Sequence, residues 1–133
     1  MWKIPADRMK AGRPHTVPLS PTALVLLKQA KSVAPQSDLI FPAPRGGVLS
    51  DMVFTQLLKR LEAGCTMHGF RSTFRDWAAE QTNFPREVCE AALAHASGDR
   101  TEAAYLRTEH LQKRRALMEQ WSAHLERGAQ LAS

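Results

Sequence analysis

Tyrosine is nearly missing from this chain: one occurs, at position 105. Cysteine is almost as scarce. The two that exist, Cys65 and Cys89, form no C-x-x-C pair, and no H-x-x-x-H occurs, so neither a zinc site nor a disulfide framework is indicated. The thiols read as reduced, in a cytoplasmic protein. No apolar run approaches the roughly 20 residues that a membrane helix needs. The first residues carry Lys3, Asp7, Arg8 and Lys10 and no apolar core, which argues against a signal peptide. There is no Walker motif, no G-x-G-x-x-G and no G-x-S-x-G, so nucleotide-binding and serine-hydrolase readings lose their usual signals. Repeats and low-complexity tracts are absent too.

Acidic residues are in short supply relative to basic ones. Lys and Arg number 18 against 13 Asp and Glu, for a formal net charge of +5. That favours an anionic partner, and nucleic acid is the commonest. A length of 133 residues suits one domain with a real core.

The pattern predicts a mainly α fold with a small antiparallel β-hairpin. Residues 1–19 read as strand, turn, strand: Trp2-Lys3-Ile4-Pro5, then the turn residues Ala11-Gly12-Arg13-Pro14, then His15-Thr16-Val17-Pro18-Leu19. Ser20-Pro21 starts a helix to about Val33, with Ala23, Leu26, Leu27 and Ala30 on one face. Asp38 to Pro42 reads as a short buried segment, and Ala43 to Val48 as a Pro/Gly loop. A helix capped by Ser50 or Asp51 follows, with Val53, Phe54, Leu57, Leu58 and Leu61 apolar and Gly64 closing it. The next is expected from Gly69 or Phe70 to Gln81, turning Phe70, Phe74, Trp77 and Ala78 inward. Arg86 to Ala94 is another, and Ser97-Gly98-Asp99 a loop. A short helical stretch carries Tyr105. A final helix runs from Thr108 or Glu109 to Arg127, with Leu111, Met118, Trp121 and Leu125 on one face. Residues 20–127 are thus the helical part and 128–133 a frayed tail.

The residues with chemistry to offer fall in a definite order. Lys10 precedes the hairpin turn. His68-Gly69-Phe70-Arg71 is an H-x-x-R in which one helical turn separates imidazole and guanidinium. An arginine fork matches two phosphate oxygens, and a helix N-terminus attracts phosphate. His95 follows Leu93-Ala94, and Tyr105 lies downstream. Each has a bland alternative: a satisfied core histidine, a solvated cation, a half-buried phenol. Together they suit attack on a phosphodiester. Lys3, Arg8 and Arg13, with only Asp7 to oppose them nearby, make the hairpin basic enough to enter a DNA groove. Arg75, one turn beyond Arg71, is a further candidate contact or a surface charge. Glu87 and Glu90 read as solubility charges.

These boxes resemble the tyrosine recombinases, in particular the catalytic domain of prophage integrases, over nearly the whole chain. His68-Gly69-Phe70-Arg71-Ser72-Thr73-Phe74 is similar to that family's H-x-x-R box, and Leu93-Ala94-His95 to its Leu-Gly-His box, with alanine for glycine. The resemblance implies a nucleophile at Tyr105, transition-state stabilisation by Arg71, and His68 and His95 at the phosphate. Lys10 is then the acid for the leaving oxygen. It implies strand cleavage and rejoining through a 3′-phosphotyrosyl link, without metal or other cofactor, on double-stranded attachment sites. It also implies a tetramer on DNA for a full-length enzyme, and self-association here. The family's first catalytic arginine, upstream of the hairpin, has no match in these residues. The expectation is a partial catalytic domain, 1–133, inactive alone. The alternatives are a non-catalytic DNA-binding remnant and, less well matched in size, a type IB topoisomerase.

Overall fold

The computed structural model describes residues 1–95 and 102–131, with side chains for 1–95 and 110–131. The expected loop at Ser97-Gly98-Asp99 and the last two residues lie outside this description. The architecture is helical with one two-stranded antiparallel hairpin. The described chain divides into two compact units: Met1–Pro21 together with Arg75–Ser133, and Thr22–Phe74.

In the first unit, β1 (Trp2–Ile4) pairs with β2 (His15–Val17), setting Trp2 opposite Val17, Lys3 opposite Thr16 and Ile4 opposite His15. Thr16 and Val17 are β-branched and suit a pleated strand, and Pro18 ends it. Between the strands lies a 3-10 turn, Ala6–Arg8, that no residue pattern announces. A tight turn follows, in which Gly12 N–H donates to Met9 O at 2.8 Å. Gly12 holds a φ of +61°, which glycine adopts without steric cost.

Numbering helices in chain order, α1 is Pro21–Val33, α2 Val53–Arg60, α3 Met67–Gln81, α4 Arg86–Ala92 and α5 Glu102–Leu131. The first unit's core is built from the C-terminal half of α3, from α4 and from α5. Val88, Cys89 and Leu117 are fully buried, and Trp77 and Ala78 nearly so. Trp77 meets Trp121 at a centroid distance of 4.9 Å, and Trp121 stacks on His124 at 5.4 Å. Aromatic pairs of this kind add about 0.5–1.5 kcal/mol beyond area burial.

The buried stripe of α5 is His110, Arg114 and Leu117, continuing to the half-buried Trp121 and His124. Leu111 and Met118 flank it half-buried, and Leu125, expected inward, is exposed. Hydrophobicity alone misplaced the stripe because two of its members are polar. α5 also begins earlier than expected. The stretch carrying Tyr105 and the final helix are one continuous element, and Gly128 to Leu131, expected to fray, remain helical.

In the second unit, α1 and α2 contain no fully buried residue. Leu26 is exposed rather than inward, and so are Ile40 and Phe41 of the segment expected to be buried. The loop after it closes through a Pro42–Val48 bridge and an Ala43 N–H to Gly47 O bond of 2.9 Å. α2 ends not at Gly64 but two residues earlier, where Glu62 takes a left-handed φ of 49°. Phe74 on α3 is buried as expected, whereas Phe70 points outward.

Candidate active site

Lys10 occupies the first central position of the Met9–Gly12 turn and is exposed. Lys3 on β1, Arg8 on the 3-10 turn and Arg13 after Gly12 are exposed as well. The hairpin therefore presents its cations to solvent.

α3 starts two residues before the expected Gly69, so His68 lies inside its first turn. The reason is an N-cap before the expected start: Thr66 Oγ1 accepts from Gly69 N–H at 3.1 Å. His68 is exposed at this N-terminal turn. Arg71 follows one turn later on the same helix and is half-buried.

His95 is fixed by the end of α4. Its N–H donates to Glu90 O at 3.0 Å and the Ala94 N–H to Ala91 O at 3.2 Å, the two bonds of a Schellman motif. The motif needs a left-handed residue between them, and Ala94 fills it with φ at 56°. Glycine suits this position because it lacks the Cβ that makes left-handed backbone costly. That supplies a physical ground for the glycine of the Leu-Gly-His box.

Glu90, expected to be a solubility charge, is instead the hub of the described ionic contacts. Arg75 Nε donates to its Oε1 at 2.8 Å, Arg86 Nε lies 3.7 Å from the same oxygen, and His95 Nδ1 bonds to Oε2. Facing a carboxylate oxygen, Nδ1 carries the proton. The His95 bond, ahead of that from Arg75, holds the Glu90 carboxyl below its ordinary range, against opposing desolvation. Arg75 and His95 are thereby brought together on one carboxylate. Glu87 has no such partners among the described ion pairs. Next to Glu90, burial raises the Cys89 thiol, which fits an inert reduced cysteine.

A second polar cluster joins β2 to α5. The Arg114 guanidinium Nη2 donates to Thr16 O and approaches His15 Nε2 at 3.4 Å. Arg114 is 8% exposed, and its buried Nε has no hydrogen-bond partner among the described residues. Burial first, then the Arg114 charge, pulls His15 below its ordinary value, while a bond to the Ala92 backbone works the other way. Nothing in residue type marks Arg114 or Glu90 among the other charges, and only their partners reveal them.

Tyr105 lies on α5, and its side chain is outside the described residues. Among the described residues no three His, Cys, Asp or Glu gather as a metal-holding group, and no helix is long and apolar enough to cross a membrane.

The model of the phage integrase family matches residues 1–112. The chain belongs to the phage integrase family. Prophage integrase IntA of Escherichia coli K12 is 41% identical over 137 residues, covering 99% of this chain and 32% of that protein. The integrase of Enterobacteria phage P4 is 30% identical over 145 residues, covering 95% and 33%. The integrase of Shigella phage Sf6 is 32% identical over 133 residues, covering 92% and 33%. The chain thus spans about a third of the length of these integrases. No solved structure matches.

Proposed function

We propose that this integrase-family chain carries the strand-cleaving chemistry of a site-specific DNA recombinase acting on double-stranded DNA. The observation that carries the reading is the extent of the family match. Residues 1–112 include Lys10, His68, Arg71, His95 and Tyr105 in the order the chemistry requires. In this reading the Tyr105 phenolic oxygen attacks the scissile phosphorus. The Oη–P bond forms as the bond from phosphorus to the 5′ oxygen breaks. His68 takes the tyrosine proton, Lys10 gives one to the departing 5′ oxygen, and Arg71 and His95 hold the phosphate oxygens. The phosphotyrosyl bond conserves the energy of the cleaved ester, so rejoining to a new 5′-hydroxyl is the same step reversed. Lys3, Arg8 and Arg13 contact the duplex backbone.

The test is covalent trapping on a nicked duplex that loses its 5′-hydroxyl product. The chain alone gives a trace of adduct, absent in Tyr105→Phe. Supplying the preceding part of an integrase relative raises the yield strongly by adding the family's first arginine. Arg71→Ala lowers it about 10²- to 10³-fold, the usual cost of losing one transition-state contact. Adduct that persists in Tyr105→Phe sinks the nucleophile assignment. No adduct in any combination leaves the non-catalytic DNA-binding module as the correct reading. Abundant adduct from the chain alone refutes the need for the first arginine.

A further inference from the structure

We propose that Glu90 is the positioning residue of this site: it clamps His95 by backbone and side chain together and leaves the Nε2 edge of the ring for the scissile phosphate. The inference rests on the recombination reading above.

Glu90 grips His95 at two points. Its main-chain carbonyl accepts the His95 N–H at 3.0 Å, and its Oε2 accepts from His95 Nδ1. The first bond fixes the path of the chain as it leaves α4. The second fixes the rotation of the ring about its own side chain. A histidine whose Nδ1–H is committed to a carboxylate has a set tautomer, and its other nitrogen is the one left to act. The His95 side chain is 47% exposed, so that other edge is open to a ligand.

The carboxylate is itself held. Arg75 on α3 binds Oε1 at 2.8 Å, and Arg86, one turn before Glu90 on α4, supports the same oxygen at 3.7 Å. The Arg75 and Glu90 side chains are 29% and 20% exposed, so this is a partly desolvated pair rather than a loose surface one. Two cations on Oε1 leave Oε2 to the imidazole. With Nδ1 turned to the carboxylate, the Nε2 edge is the one a phosphate oxygen can meet. Arg75 therefore acts through Glu90, and Glu90 through His95. Neither needs to touch DNA to affect the reaction.

The experiment uses the 133-residue chain with Glu90→Gln, Glu90→Ala, His95→Ala and the double variant Glu90→Ala/His95→Ala. Thermal melts confirm that each folds; Glu90→Gln keeps the side-chain shape if Glu90→Ala does not fold. Long-range 15N–1H spectra of the histidine rings read the His95 tautomer directly. The expected result is His95 with its proton on Nδ1 in the parent chain, moving towards Nε2 in both Glu90 variants. In the supplemented trapping assay, adduct falls about 10- to 100-fold in Glu90→Ala, the usual cost of losing a partner that orients a working histidine. The double variant is no worse than His95→Ala, because the two residues act as one unit. An unchanged tautomer in both Glu90 variants, or losses that multiply in the double variant, overturns the proposal. A parent chain with the expected ring spectra but no Tyr105-dependent adduct overturns the recombination reading, and with it the role of Glu90 in the reaction but not its grip on the ring.

Discussion

Ala94 and Glu62 bear a conformation that side chains with a Cβ disfavour. Their φ values are 56° and 49°, and each closes a helix, α4 and α2 respectively. Left-handed backbone costs an L-residue on the order of 1–2 kcal/mol. Part of that returns when glycine is introduced, less its own entropy cost. Ala94→Gly is expected to raise stability by about 1 kcal/mol in urea melts, with the His95 backbone bond to Glu90 intact. A lower midpoint would mean that the alanine methyl packs usefully. Ala94→Val should destabilise by more than that, since a β-branched side chain suits this region worst. The strain was half legible beforehand: alanine could be seen in place of a glycine, but its φ could not, because backbone angle depends on how the helix ends. Glu90 shows the same boundary. Its spacing before His95 is visible in the sequence, whereas Arg75, which completes the hub, comes from another helix.

At the scale of single elements, α3 and the β2–α5 joint make separate predictions. Thr66 caps α3 through the Gly69 N–H, so Thr66→Ala should cost about 1 kcal/mol and speed amide exchange in the turn that carries His68. Gly69→Ala should act oppositely, by about 0.5–1 kcal/mol. A Cβ there would meet only Thr66 Oγ1, at an ordinary 3.5 Å. The β2–α5 joint should respond to acid. His15 is held below its ordinary 6.5, chiefly by burial and then by Arg114. Below that value the unfolded chain binds a proton that the folded chain resists, so stability is full above about pH 6.5 and falls as pH drops through the window beneath it. Glu90, held low by His95 and Arg75, adds a further loss below its ordinary 4.5. Melting temperature followed from pH 7.5 downwards should show the upper decline flatten in His15→Gln, and an unaltered slope would assign it elsewhere.

For the whole molecule, the exposed cations Lys3, Lys10 and Arg13, with Arg8, set the DNA prediction. Neutralising about four phosphates gives a log–log salt slope near −3.6. Weak, sequence-tolerant binding with that dependence is expected in fluorescence anisotropy, and salt-independent binding would refute it. Self-association is the other expectation. Phe54, Leu57 and Leu61 on and after α2 are 45%, 46% and 65% exposed, a set of large apolar side chains that favours a covering partner. Light scattering should show mass rising with concentration. A monomeric mass up to roughly 1 mM, far above the micromolar range of modest interfaces, would end the idea.

Local chemistry was enough to place much of this protein. Pro21 after Ser20 marked where α1 starts, Pro18 marked the end of β2, and glycine marked the hairpin turn, because each acts through its own backbone or its immediate neighbours. The His68-to-Arg71 and Leu93-to-His95 boxes pointed to the phage integrase family through their resemblance to its motifs, since motif spacing is a property of the chain. Helix faces were a different matter. Leu26, Phe70 and Leu125 read as inward from period and hydrophobicity, yet they are exposed, while Arg114 and His110 are buried. An apolar side chain is buried only if a neighbouring element covers it. A polar one is tolerated inside where a distant carbonyl receives it, as Thr16 receives Arg114. Those partners lie far away in sequence, so only the tertiary structure decided which charges became structural. It alone made Glu90 the anchor of His95, because a carboxylate acquires that role from the two guanidinium groups and the imidazole folded around it.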